Sequence, residues 1–200
     1  PADYLFLYLL SFYILLLCLK VDFRLAALGA LAFGFSTYLI IILGVGHNAK
    51  AHALGYIPMV LGGIVLLFRK IYILGFILTA LAMALEISAN HYQMTYYFML
   101  LVLVMGLVYL VYAIKEKELK HFFVSVGILV LAVVLSIATN ATSLMATKEY
   151  ADWSTRGKSE LTVNPDGSPK EVTNGLDREY ITQYSYCIAE SLDLFSLRLF

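Results

Sequence analysis

Apolar residues along this chain fall into six long runs, at 4–19, 25–45, 54–68, 71–87, 96–114 and 122–146, separated by short polar breaks. A helix that crosses a bilayer needs about 20 mostly apolar residues, within a range of about 17–25. The pattern therefore predicts an all-α polytopic membrane protein with about six transmembrane helices. The run at 54–68 is the weakest, being short and holding Pro58 and the pair Gly62-Gly63. Proline is tolerated near a helix start, where its missing N–H would be unpaired in any case. That run is kept as a crossing because the distribution of charge requires one there.

From Lys148 onward the composition becomes that of a water-soluble segment. Asn164-Pro-Asp-Gly-Ser-Pro169 is a turn signal, since proline presets φ and glycine accepts a positive one. With Leu161 to Val163 before it and Glu171 to Thr173 after, it predicts a small hairpin. Apolar or aromatic residues then recur at Leu176, Tyr180, Ile181, Tyr184, Cys187, Ile188, Leu192 and Phe195, the spacing of an amphipathic helix lying on the bundle or the membrane surface. The expected organisation is a transmembrane bundle over 1–147 followed by an extracytoplasmic segment over 148–200. The chain is expected to be an internal piece of a longer protein.

Composition agrees with the pattern: 61% of residues are hydrophobic and 14% charged, against roughly 45–50% apolar in soluble domains. A net charge of zero leaves no electrostatic footprint for nucleic acid. Cys18 lies in the first apolar run and Cys187 in the polar tail, so no disulfide between them is expected. Charge position is more telling than its sum. Lys20 and Arg24, then Arg69 and Lys70, then Lys115, Lys117 and Lys120 occupy alternate breaks, whereas the other short breaks hold only Lys50. Cytoplasmic loops collect Lys and Arg. This places the breaks at 46–53 and 88–95, and everything after Ala146, outside.

Three polar groups share that outer face. One holds His47, Asn48, Lys50 and His52. A second runs from Glu86 through Asn90, His91 and Gln93 to Tyr96 and Tyr97, and a third joins Asn140, Thr142 and Ser143 to the stretch from Lys148 to Gly157. Glu86 lies near the end of its apolar run, where ionisable groups face protein or a water-filled cavity, unless it is close enough to water to stay solvated. It is the candidate catalytic carboxyl. Lys50 suits an anion such as phosphate, or else snorkels to the headgroups. His47 and His52 are five apart rather than the three or four that align ligands on one helical face, so no metal site is expected, and no cofactor is predicted. Most of the 15 tyrosines, Tyr96 and Tyr97 among them, fit an interfacial aromatic belt.

Gly46-His-Asn-Ala-Lys50, Asn90-His-Tyr-Gln-Met-Thr-Tyr-Tyr97 and Glu149-Tyr-Ala-Asp-Trp-Ser-Thr-Arg-Gly157 resemble the YfhO family of bacterial membrane proteins, in the version common among Bacteroidetes. The resemblance covers essentially all 200 residues, as a central slice of a longer multispanning chain. It implies an architecture similar to GT-C glycosyltransferases, which use polyprenyl-phosphate sugars at the outer face of the bacterial inner membrane. It marks His47, Asn48, Lys50, His91, Gln93, Tyr96, Tyr97, Ser154 and Arg156. The essential acid of GT-C enzymes sits in the first outer loop, which would precede Pro1. The family is also expected to carry glycine near Cys187 and proline near Ser196 or Leu197, and the chain departs from it there.

The reading is a GT-C type membrane glycosyltransferase moving a sugar from a lipid-phosphate donor to an envelope glycan acceptor. Its partners are the lipid bilayer, the lipid-linked donor and the acceptor, and the substrate-binding residues are His47, Asn48, Lys50, His91, Gln93, Tyr96, Tyr97 and Arg156. A transporter or flippase of a lipid-linked or anionic solute, and a noncatalytic membrane scaffold, are the alternatives.

Overall fold

A computed structural model describes residues 2–154, 167–169 and 182. Most of the described residues fall in eight helices: α1 (Ala2–Cys18), α2 (Phe23–Gly34), α3 (Thr37–Val45), α4 (Asn48–Phe68), α5 (Tyr72–Ser88), α6 (Tyr92–Lys115), α7 (Leu119–Thr139) and α8 (Ala141–Asp152). Two compact units divide the chain, Pro1–Thr142 and Ser143–Phe200. In the second, the described part is mostly α8 and the turn after it, where Met145, Tyr150 and Trp153 are exposed. The expected hairpin strands, the expected amphipathic helix apart from Thr182, and Arg156 lie outside the described residues.

Three helices, α4, α6 and α7, are long and apolar enough to cross a membrane, and α2 with α3 passes the same test as a pair bent by 47°. The apolar run at 25–45 is therefore not one straight helix. It breaks after Gly34, where Ser36 takes an extended backbone (φ −61°, ψ 142°) at the start of α3, and Gly/Ser positions are a recognised cause of sharp kinks. The run at 54–68 is extended in the opposite sense. Helix α4 begins at Asn48 and carries Pro58 inside it, so the polar residues 48–53 form its first turns rather than a loop. The last run also divides, α7 ending at Thr139 and α8 starting after Asn140.

Helix α4 is the centre of the first unit. Of its apolar span 61% is buried, against 11% for α6 and 22% for α7, whose outer faces are continuous rows of exposed Leu, Val, Ile and Tyr. Patches of that size are not tolerated in water. Helix α1 packs beside α4 through Gly55 and Gly62, where a Cβ would meet Leu7 and Tyr8 or Cys18. The α4–α5 contact is closer still. A Cβ on Gly63 would lie 2.7 Å from the Thr79 nitrogen, and one on Gly75 would lie 2.9 Å from the Leu67 nitrogen and 3.0 Å from the Gly63 oxygen. Backbones meet there because each helix places a glycine at the crossing, which is how helices associate when lipid removes the hydrophobic drive.

Polar side chains tie α7 to its neighbours. Ser136 donates to the Ala80 carbonyl (2.9 Å), Asn140 to Ala84 (3.0 Å) and Ser125 to Leu67 (3.1 Å). His121 Nε2 lies 3.0 Å from the Phe68 oxygen and its Nδ1 lies 2.8 Å from the Tyr72 hydroxyl. A carbonyl only accepts, so Nε2 carries the proton and Nδ1 receives that of Tyr72.

These contacts fix two ends. At one, Arg69 donates to the Cys18 carbonyl and Lys70 pairs with Glu118 at 2.7 Å, bringing together the turns that hold Lys20, Lys70 and Lys117. The three are built alike. Each lysine has positive φ (64°, 65° and 58°), and the N–H after it bonds back five residues, Val21 to Leu16, Ile71 to Leu66 and Glu118 to Ala113. This is a helix-terminating motif that usually takes glycine. Lysine bears the left-handed strain, about 1–2 kcal/mol, and places a cation where the helix dipole is negative. The other end gathers the start of α1, the start of α4 and the α5–α6 turn, since Tyr4 contacts His52 and His91 shares a recess with the start of α4.

Candidate functional site

At this second end the chain turns from α3 into α4 through Gly46, a left-handed residue at φ 79°. His47 caps α4 without a side-chain hydrogen bond, and His91 caps α6 in the same uncapped way. The first-turn N–H groups of a helix, together with the positive end of its dipole, favour an anion. Gly46, His47, Asn48, Ala49, Lys50 and His91 line one open recess of ≈ 330 Å³. Four of the residues expected to bind substrate are thus brought together: His47, Asn48 and Lys50 from one segment and His91 from another 40 residues on.

Lys50 is half-buried, and its ammonium rests 5.3 Å from the centre of the Tyr38 ring. Behind it, the His52 ring meets Tyr4 edge-on at 4.9 Å and Tyr56 at 5.4 Å. One nitrogen of His91, Nδ1, is buried without a hydrogen-bond partner, as are the Tyr8 hydroxyl and Thr79 Oγ1. The electrostatic character of the recess is one lysine, two imidazoles and two helix starts, with no carboxylate in its lining.

Other expected residues fall elsewhere. Gln93 donates to the Tyr97 hydroxyl one turn along α6 at 3.1 Å. Tyr96 and Tyr97 are exposed, with ring centres 5.8 Å apart. Neither they nor Gln93 line the recess. Glu86 is wholly buried, and both carboxyl oxygens receive the single proton of Thr95 Oγ1, at 2.9 and 3.1 Å. The alternative of a solvated interfacial carboxylate is therefore not what the fold contains. Enclosed in this way, the carboxyl presents no surface for a substrate to touch.

Sequence reasoning missed Tyr8, Tyr38 and Thr95. The first two read as ordinary membrane-flanking tyrosines, and the signal for Thr95 was its place one turn after His91, opposite a lone acid. Among the described residues no group of three His, Cys, Asp or Glu side chains could hold a metal ion. No family model, curated protein or solved structure matches this chain.

Proposed function

We propose that the chain is part of a GT-C type, YfhO-like glycosyltransferase of the bacterial inner membrane, which receives a polyprenyl-phosphate sugar at the recess and transfers the sugar to an envelope acceptor. One observation carries the reading: two uncapped helix starts and the only lysine of the outer breaks line the same recess. Hydrogen-bond donors and positive charge converge there, and a phosphate is the common ligand that satisfies both.

The reading takes six crossings, adding the shorter apolar helices α1 and α5 to α4, α6, α7 and the bent α2–α3 pair. The three lysine turns lie at one end and the recess at the other, as the bias of Lys and Arg toward the cytoplasm requires. Helices α1 and α5, with 17 residues each, span about 26 Å at 1.5 Å per residue, close to the hydrocarbon thickness of about 30 Å. In the transfer, the acceptor oxygen bonds to the anomeric carbon as the bond from that carbon to the phosphate oxygen breaks. The acceptor proton passes to a base, and Lys50 offsets the charge left on the lipid phosphate. Glu86 has no part in this, being enclosed and bonded to Thr95. Transport is disfavoured because the buried serines Ser11, Ser125 and Ser136 donate to backbone carbonyls instead of lining a path.

Lys50→Ala and His91→Ala in the full-length protein are expected to cut transfer to the envelope polymer at least about tenfold, the loss of one charge-assisted contact. Unchanged glycan profiles in both would refute the assignment. Cysteines introduced at 50 and 91, with Cys187 replaced, should react with an impermeant maleimide from one side of the membrane and one at 117 from the other. Labelling of 50 and 91 from opposite sides would remove any shared site.

A further inference from the structure

Tyr8 occupies the junction of α1, α3 and α4, with no exposed surface, against Leu39, Ile42 and Ala51, and its hydroxyl has no hydrogen-bond partner. Phenylalanine would fill the same space without stranding a polar atom, and a buried group left unpaired costs its full desolvation. Side chains on a helix lean toward its N-terminus, so the Tyr8 ring leads toward the end of the bundle where the recess lies. Tyr4 packs against the same cluster, and Tyr38 directly precedes its Leu39 in α3. Tyr38 in turn carries the Lys50 ammonium on its ring, and Lys50 directly precedes Ala51 in the Tyr8 cluster. Tyr38 is 53% exposed, so part of its ring borders solvent rather than packed neighbours.

We propose that the Tyr8 hydroxyl is the inner hydrogen-bond donor of the anion site headed by Lys50, so that a phosphate seated against Lys50 also accepts from Tyr8. This rests on the recess being a phosphate site and adds to it a residue from α1, where the lining comes only from the starts of α4 and α6. The exchange is simple. Lys50 leaves the face of Tyr38 for the phosphate, the Tyr38 ring swings outward, and the stranded hydroxyl acquires an acceptor. The phosphate is either borne by a lipid or free, and both offer the same acceptor oxygens.

The test uses the intact protein in nanodiscs of neutral phosphatidylcholine, with geranyl phosphate and inorganic phosphate as probes. Affinity and thermal midpoint are measured for the wild type, Tyr8→Phe and Lys50→Ala. Tyr8→Phe is expected to weaken binding about tenfold to a hundredfold, the range for a hydrogen bond to a charged group, while its thermal midpoint stays level or rises. Retention of geranyl phosphate alone assigns a lipid-borne ligand, and equal retention of both probes assigns free phosphate. Unchanged affinity in Tyr8→Phe beside a loss in Lys50→Ala overturns the role of Tyr8 and leaves the recess standing. Unchanged affinity in Lys50→Ala, or no binding of either probe to the wild type, overturns both. A lowered midpoint in Tyr8→Phe shows that the hydroxyl is bonded within the fold, and this also overturns the proposal.

Discussion

Replacing Gly63 by alanine tests whether backbone contact between α4 and α5 holds the bundle together. The added Cβ would stand 2.7 Å from the Thr79 nitrogen and 3.1 Å from the Gly75 oxygen, both fixed backbone atoms that no rotamer change moves. The helices have to part, and a gap of about 0.5–1 Å forfeits a quarter to a half of the dispersion energy of each atom pair across the contact. Overpacking of this kind costs about 1–3 kcal/mol, while alanine's helix preference over glycine returns about 1 kcal/mol. The net expectation is a loss of up to about 2 kcal/mol. Gly127 on α7 is the matched control, because a Cβ there meets nothing within 4 Å, and Gly127→Ala should be neutral or stabilising. Unfolding of the purified protein by sodium dodecyl sulfate in mixed micelles reads both. Gly75→Ala should add less than its own cost to Gly63→Ala, since one separation of the helices serves both. Equal midpoints for Gly63→Ala and Gly127→Ala would refute the reasoning.

Thr95→Ala strands the enclosed Glu86 carboxyl and should destabilise by about 1–3 kcal/mol, whereas Thr95→Ser keeps the bond and most of the stability; equal unfolding midpoints for the two would show that the bond contributes nothing. The exposed Lys70–Glu118 pair should contribute little, as surface pairs do, but with a defined pH window. The hydrogen bond from Lys70 lowers Glu118, and the same bond to Glu118 raises Lys70. A lowered carboxyl loses its contribution as pH falls through its folded value, and a raised amine loses its own as pH rises through its folded value. The coupling is complete between the ordinary values of 4.5 and 10.5 and fades outside them. A Lys70→Ala/Glu118→Ala double-mutant cycle across pH measures this, and a coupling that grew on acidification would contradict it.

The helical class and the alternation of lysine-rich and lysine-poor breaks were legible because both follow from local chemistry. Long apolar runs in lipid must satisfy their own backbone, and charge is costly to translocate. Helix limits were less legible, as the start of α4 shows. Asn48, Lys50 and His52 look like loop by polarity, yet at a helix start they cost little, because the end of a span lies in the polar interface.

What the sequence determined by itself is therefore the apolar character of the spans, the segments that bear lysine and histidine, and the residues worth testing at each break. Tertiary structure alone decided that His91 joins His47, Asn48 and Lys50 while Gln93 and Tyr96 do not, that Glu86 is sealed against Thr95, and that Tyr8 keeps an unpaired hydroxyl. The reason is physical. Hydropathy and charge act on each residue where it stands in the chain. Adjacency across helices depends on which faces meet, and here that was set by three glycines in α4 and one in α5, whose missing side chains carry no outward sign of the partner they admit.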